Sequence, residues 1–120
     1  MTLTSLAIAL SGAGVLVTGG LSALFLRAPV AGMAAAQHRA DKLPEVMADR
    51  FVGMGVLALA ATLYGDLKVI AVLFAVFAYT GFHDAWIYAR GGFPIAPHVS
   101  AGVAGLIVSG VALLAMGQGS

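Results

Sequence analysis

Apolar positions run along this chain in long blocks broken by short polar or glycine- and proline-containing stretches, with neither the two-residue alternation of a half-buried strand nor a narrow helical stripe. A helix needs about 20 apolar residues to cross ~30 Å of hydrocarbon at 1.5 Å per residue. Residues 3–26 carry no charge and stop at Arg27-Ala-Pro29, where a cation suits a helix C-terminus and the proline opposes continuation. Residues 51–65 are uncharged but too short to cross, so the second helix is expected to start at about Pro44, a favourable first-turn residue. That start forces Glu45, Asp49 and Arg50 into its first turns. Gly65-Asp66-Leu67-Lys68 reads as a tight helical turn, and a third helix follows over about 69–90, with His83 and Asp84 inside it. Gly91-Gly92-Phe93-Pro94 ends it, and a fourth runs over about 97–116 with His98 in its first turn.

Four spans joined by one polar loop of roughly 17 residues and two short turns predict an all-α protein, an antiparallel bundle of four transmembrane helices forming one domain over residues 1–120. Small residues are expected at the helix seams, with Ala101, Gly105 and Ser109 on the last helix and Gly19 and Ala23 on the first each repeating every four positions. A plain enrichment in Ala and Gly explains the same pattern.

Composition hardens the membrane reading. The 120 residues are 61% hydrophobic and 9% charged, with a mean hydropathy of +1.01, against roughly 25% charged in soluble domains. So little polar surface leaves a bilayer as the expected solvent. The absence of cysteine excludes thiol chemistry and thiolate-held metals. A net charge of +1, with no basic helical stripe, sets nucleic-acid partners aside. Met1-Thr-Leu-Thr-Ser5 lacks the basic start of a signal peptide, so the first span is expected to be a mature helix. Arg27, Arg39, Lys42, Arg50 and Arg90 fall on the side of the first and third connections, and Lys68 alone on the other, which places the long loop in the cytoplasm and both termini outside.

Counted from the cytoplasmic helix ends, Asp49 lies about 8 Å deep, Asp84 about 9 Å, His83 about 10 Å and His98 within one turn. Ionisable groups in hydrocarbon face the interior, pair, or line a cavity, and are functional by default. Asp84 and Asp49 are the candidate general acid or base and His98 the partner titrating near neutral pH, with Arg50 orienting an anionic group and Tyr88 and Trp86 contacting substrate. On this reading Asp84, Arg50 and His98 form one cluster. Each has a bland alternative: a structural ion pair for Asp84, a helix-dipole role for Asp49, snorkelling for Arg50, a solvated interface for His98 and an aromatic belt for Trp86, Tyr88 and Tyr79. His83 and His98 flank one loop and could meet on a metal, yet the chain has no HxxH, HxxxH or ExxH spacing, and neither metal nor cofactor is expected.

Asp49-Arg50 before a Gly-rich second helix, then Asp84-Ala-Trp-Ile-Tyr-Ala-Arg90-Gly-Gly92, then His98 opening the last helix, together resemble a family of uncharacterised four-helix membrane proteins, loosely similar to DoxX-like proteins. The resemblance spans about residues 48–116 and implies the fold, with Arg50, Asp84 and His98 as the recurring positions; it implies no settled activity. The function expected from the residues is acid/base chemistry, of isomerase, cyclase or hydratase type, on a lipophilic small molecule entering from the lipid. The alternatives are a ligand-binding or proton-coupled transport module, in a homo-oligomer, and an accessory subunit whose charges only fix packing.

Overall fold

The computed structural model describes residues 1–119 and is all-helical there. Four of its helices are long and apolar enough to cross a membrane. The chain divides into two compact units, Met1–Arg50 and Phe51–Ser120.

In the first unit α1 spans Leu3–Arg27, opened by Thr2, whose hydroxyl oxygen accepts the Ser5 N–H at 3.0 Å. That bond satisfies one of the amides a helix start leaves without a partner. The chain does not become a loop at Pro29. Proline lacks an N–H and has a helical φ, so it suits a first turn, and a short helix, α2, runs over Pro29–Ala35. It folds against the end of α1 through Gly32, where an added Cβ would stand 2.7 Å from Cγ of Phe25. After α2 the chain reverses at Gln37, whose φ of 55° is left-handed, and His38 N–H closes the turn on Met33 O at 2.8 Å. One 3-10 turn, Ala40–Lys42, leads into α3, Leu43–Tyr64, whose first turn holds Pro44 and Glu45. Two ion pairs, Arg39 with Asp41 at 3.1 Å and Lys42 with Glu45 at 3.2 Å, flank that entry on exposed side chains, where such pairs contribute about 0–1 kcal/mol.

In the second unit α3 ends at Gly65, which takes a φ of 74°. Asp66 then caps α4, Leu67–Arg90, its carboxylate accepting from Lys68 N–H at 2.8 Å and Val69 N–H at 3.2 Å. This cap starts the helix two residues before the expected 69. The last helix, α5, is Ala96–Gly117.

The core of this unit is the α4–α5 seam, built from the smallest side chains: Ala71, Ala78, Gly81 and Ala85 face Gly102, Gly105, Ser109 and Ala112. Ser109 meets Ala71, Gly105 meets Ala78, and Gly81 meets Gly102, so numbers fall along α4 as they rise along α5. An added Cβ at Gly81 would lie 2.7 Å from Gly102 N, and one at Gly105 2.8 Å from Ala78 N. Backbones this close gain dispersion contacts that lipid cannot match. Spacing on α5 alternates three and four residues, the 3.5-residue repeat of a left-handed helix pair, which puts Gly102 in the seam and leaves Ala101 exposed. On α1, Gly19 is exposed, with nothing within 4 Å of an added Cβ.

Ser109 Oγ is the buried polar atom of the seam, donating to Ala71 O at 2.8 Å. Replacing Ser109 by Ala is expected to lower the stability of the detergent-solubilised protein by about 0.6 kcal/mol, since interhelical hydrogen bonds in membrane proteins average that and reach ~1.7. Thermal unfolding measures it; a loss well above that ceiling would mean the hydroxyl has a second partner.

Candidate functional site

Along α4, positions four apart share a face and neighbours are rotated by about 100°. The C-terminal half of the helix therefore carries two separate polar flanks beside the Ala/Gly seam. Thr80, Asp84 and Tyr88 occupy one, at spacings of four; Tyr79, His83, Trp86 and Arg90 occupy the other, at spacings of four, three and four.

On the first flank, Tyr88 stacks on His98 of α5, ring centroids 4.7 Å apart and planes 12° from parallel. The turn after α4 makes this possible. Tyr88 O accepts from Gly91 N–H at 3.1 Å and Phe93 N–H at 3.0 Å, Gly92 takes a φ of 76°, and the Phe93 ring meets Tyr88 edge-on at 6.0 Å. Pro97 in the first turn of α5 then sets His98 one residue on, and the His98 carbonyl oxygen lies against Gly81, 3.0 Å from where a Cβ would be. His98 is half-buried, whereas Asp84, one turn before Tyr88, is exposed. Thr80 Oγ1 donates to Phe77 O at 2.9 Å, so its proton is already engaged.

The second flank is a continuous stack. His83 lies nearly parallel to both Tyr79 (5.5 Å, 12°) and Trp86 (5.7 Å, 17°), and the Arg90 guanidinium carbon sits 4.6 Å from the Trp86 ring centroid. Cation–π contacts of this kind contribute about 0.5–1 kcal/mol at exposed sites. Trp86 and Tyr88, both expected at a substrate, thus stand on different flanks. The histidines also separate, His83 into this stack and His98 onto Tyr88. Arg90 was not among the expected site residues and His83 was weighed only as a metal ligand with His98; the three- and four-residue spacing from Tyr79 to Arg90 is the signal that groups them.

Asp49 and Arg50 are adjacent on the part of α3 that belongs to the first unit. Both are exposed, with Arg50 Nη1 3.5 Å from Asp49 Oδ2, the outer limit of a hydrogen bond. All ion pairs among the described residues lie between Arg39 and Arg50, and Asp84 takes part in none of them. Among the described residues no group of three or more His, Asp or Glu side chains gathers as a metal site would require.

Comparison of the chain with family models, with curated proteins and with solved structures gives no match.

Proposed function

We propose that the chain is a multi-pass integral membrane protein, an antiparallel four-helix bundle with both termini outside and the long loop cytoplasmic, and that the α4–α5 end performs acid/base chemistry on a lipophilic small molecule. The observation that carries the chemical part is the Tyr88–His98 stack. It supports grouping the imidazole of α5 with the α4 flank on which Asp84 stands one turn before Tyr88, a carboxylate, a phenol and an imidazole at one end of the helix pair. In an isomerisation, Asp84 removes a proton from a carbon next to the polar group of the substrate. His98, entering as imidazolium, returns a proton at the far end of the shifted double bond. The two side chains finish with exchanged protonation states and reset through water at the membrane surface. Tyr88 holds the imidazole plane and offers its hydroxyl to the polar group. Arg50, in the first unit, offers a cation to an anionic headgroup on this reading.

A second reading, binding without turnover, is favoured by the openness of the flank: Asp84 is exposed and Tyr88 is 45% exposed. Extraction of the purified protein and mass spectrometry of any copurified lipophile, followed by incubation of that compound with fresh protein, separates the two. Conversion supports the enzyme; unchanged release of the compound supports the binding module.

The orientation has its own test. Single cysteines at Arg39 or Lys42 are expected to react with a membrane-impermeant maleimide only from the cytoplasmic side, and single cysteines at Thr2 or Lys68 only from outside, because five of the six Lys and Arg lie on one side. Labelling of Lys68 from the cytoplasm would invert the topology and move the site to the outer face.

A further inference from the structure

We infer that the α4 face running through Tyr79, His83, Trp86 and Arg90 is a docking strip for an anionic membrane lipid, whose phosphate Arg90 holds. This rests on the membrane reading above but not on the acid/base site, which lies on the other flank. The strip steps four, three and four residues, so it stays on one helix face. Its character changes along that face from aromatic at Tyr79, His83 and Trp86 to cationic at Arg90. Tyr79 and Trp86 are 63% and 54% exposed, and Arg90 closes the helix with an exposed guanidinium. Such a gradient matches one lipid molecule, with its head at Arg90 and its tail along the strip. A single leaflet's tails reach roughly 15 Å, half of the ~30 Å core. At 1.5 Å per residue from Arg90, that length ends near Tyr79, where the strip begins.

Charge selects among lipids. The ion pairs of the described residues all lie between Arg39 and Arg50, so Arg90 is in none of them and its charge is available to a phosphate. A choline headgroup would be recognised by an open aromatic face. Trp86 has none to offer: Arg90 sits over the ring at 4.6 Å and His83 stacks at 5.7 Å. The strip therefore presents a cation and no aromatic cage, and the lipid it fits carries net negative charge.

Trp86 is the chain's single tryptophan, so its fluorescence reports this strip alone. The full chain is reconstituted into phosphatidylcholine vesicles containing a minor fraction of either brominated phosphatidylcholine or brominated phosphatidylglycerol, whose tails quench tryptophan on contact. Flotation with the vesicles is checked first: a chain that does not float overturns the membrane reading itself. For the floating protein, the anionic lipid is expected to be enriched at Trp86 by about fivefold, the weight of one interfacial cation. Arg90→Gln should bring the two lipids to equal quenching, while Arg27→Gln, at another helix end, keeps the preference. Equal quenching in the unmodified protein, or a preference surviving in Arg90→Gln, overturns the proposal, as does absence of quenching by both lipids, which would mean protein covers the strip. Inorganic phosphate added to the vesicles is expected to leave the preference intact. Its abolition at matched ionic strength would reassign Arg90 to a free phosphate and overturn the lipid.

Discussion

Gly81→Val is expected to separate α4 from α5, lowering the stability of the detergent-solubilised protein by roughly 3 kcal/mol or more. The argument rests on what an added side chain would meet. At Gly81 the first added carbon falls 2.7 Å from Gly102 N and 3.0 Å from both Gly102 Cα and the His98 carbonyl oxygen. All three are backbone atoms of α5, so relief requires moving the whole helix. That movement also loosens the contacts at Ala78, Gly105 and Ser109, because the seam is one continuous line of close approach. Gly105→Val, facing Ala78 N at 2.8 Å and Phe74 O at 2.9 Å, should behave alike. Gly102→Ala should cost less, since its new neighbour is the Phe82 ring, at 2.8 Å, which can swing. Gly110→Ala, with nothing within 4 Å, should be neutral or stabilising by up to ~1 kcal/mol through helix propensity. Thermal unfolding of the four variants gives the ranking. Gly81→Val as stable as Gly110→Ala would mean that the helices are not held at this seam.

The four long apolar helices were legible in the sequence because the signal is long and redundant: extended apolar stretches bounded by Pro, Gly and charge. The early start of α3 was legible from an arithmetic constraint, the shortness of the uncharged stretch after Arg50, and the helix begins at Leu43. Features that depend on a single residue were harder. Pro29 reads equally as a stop for one helix and as the first turn of the next, and the contact that favours the second, Gly32 under the Phe25 ring, is tertiary. Asp66 was legible as a turn residue, but its action as the cap that starts α4 at Leu67 depends on side-chain rotation. Rotation about the helix axis is also why the seam on α5 passes through Gly102 and not Ala101: a one-residue difference in register is about 100° of face. The candidate site shows the same division. Depth along the axis follows from counting residues, but the pairing of Tyr88 with His98 does not, because it depends on where the turn after α4 aims the His98 ring. Direction does not follow from depth. Trp86 and Tyr88 share a level and stand on different flanks, each with its own stacking partner, and the Tyr79 to Arg90 ladder is visible only once faces are separated from depths.

Asp84→Asn is expected to reduce turnover of the copurified lipophile by about 10²- to 10⁴-fold, the usual contribution of a positioned acid or base, while leaving the fold as stable or more so. The two halves of that prediction have different causes. Asparagine keeps the shape of the side chain but cannot take up a proton, so the chemical step loses its base and binding is spared. Stability should not fall, because Asp84 is exposed and belongs to none of the ion pairs, all of which lie between Arg39 and Arg50. On the proposed membrane reading a carboxylate also carries an insertion cost, which reaches ~2.5–3.5 kcal/mol at a helix centre, and the neutral amide relieves part of it. A charge kept at such a cost without a partner to balance it is what a reactive group looks like, whereas a charge that fixes packing would show the opposite pair of effects. His98→Gln tests the other member: if the proposed mechanism holds, it should lower turnover comparably, and the double variant Asp84→Asn/His98→Gln should lose little beyond either single change, since in that mechanism the two groups share one proton exchange. Unfolding midpoints and turnover measured on the same four samples decide between the readings. A stability loss of several kcal/mol in Asp84→Asn with turnover retained would make Asp84 a packing residue and end the acid/base assignment.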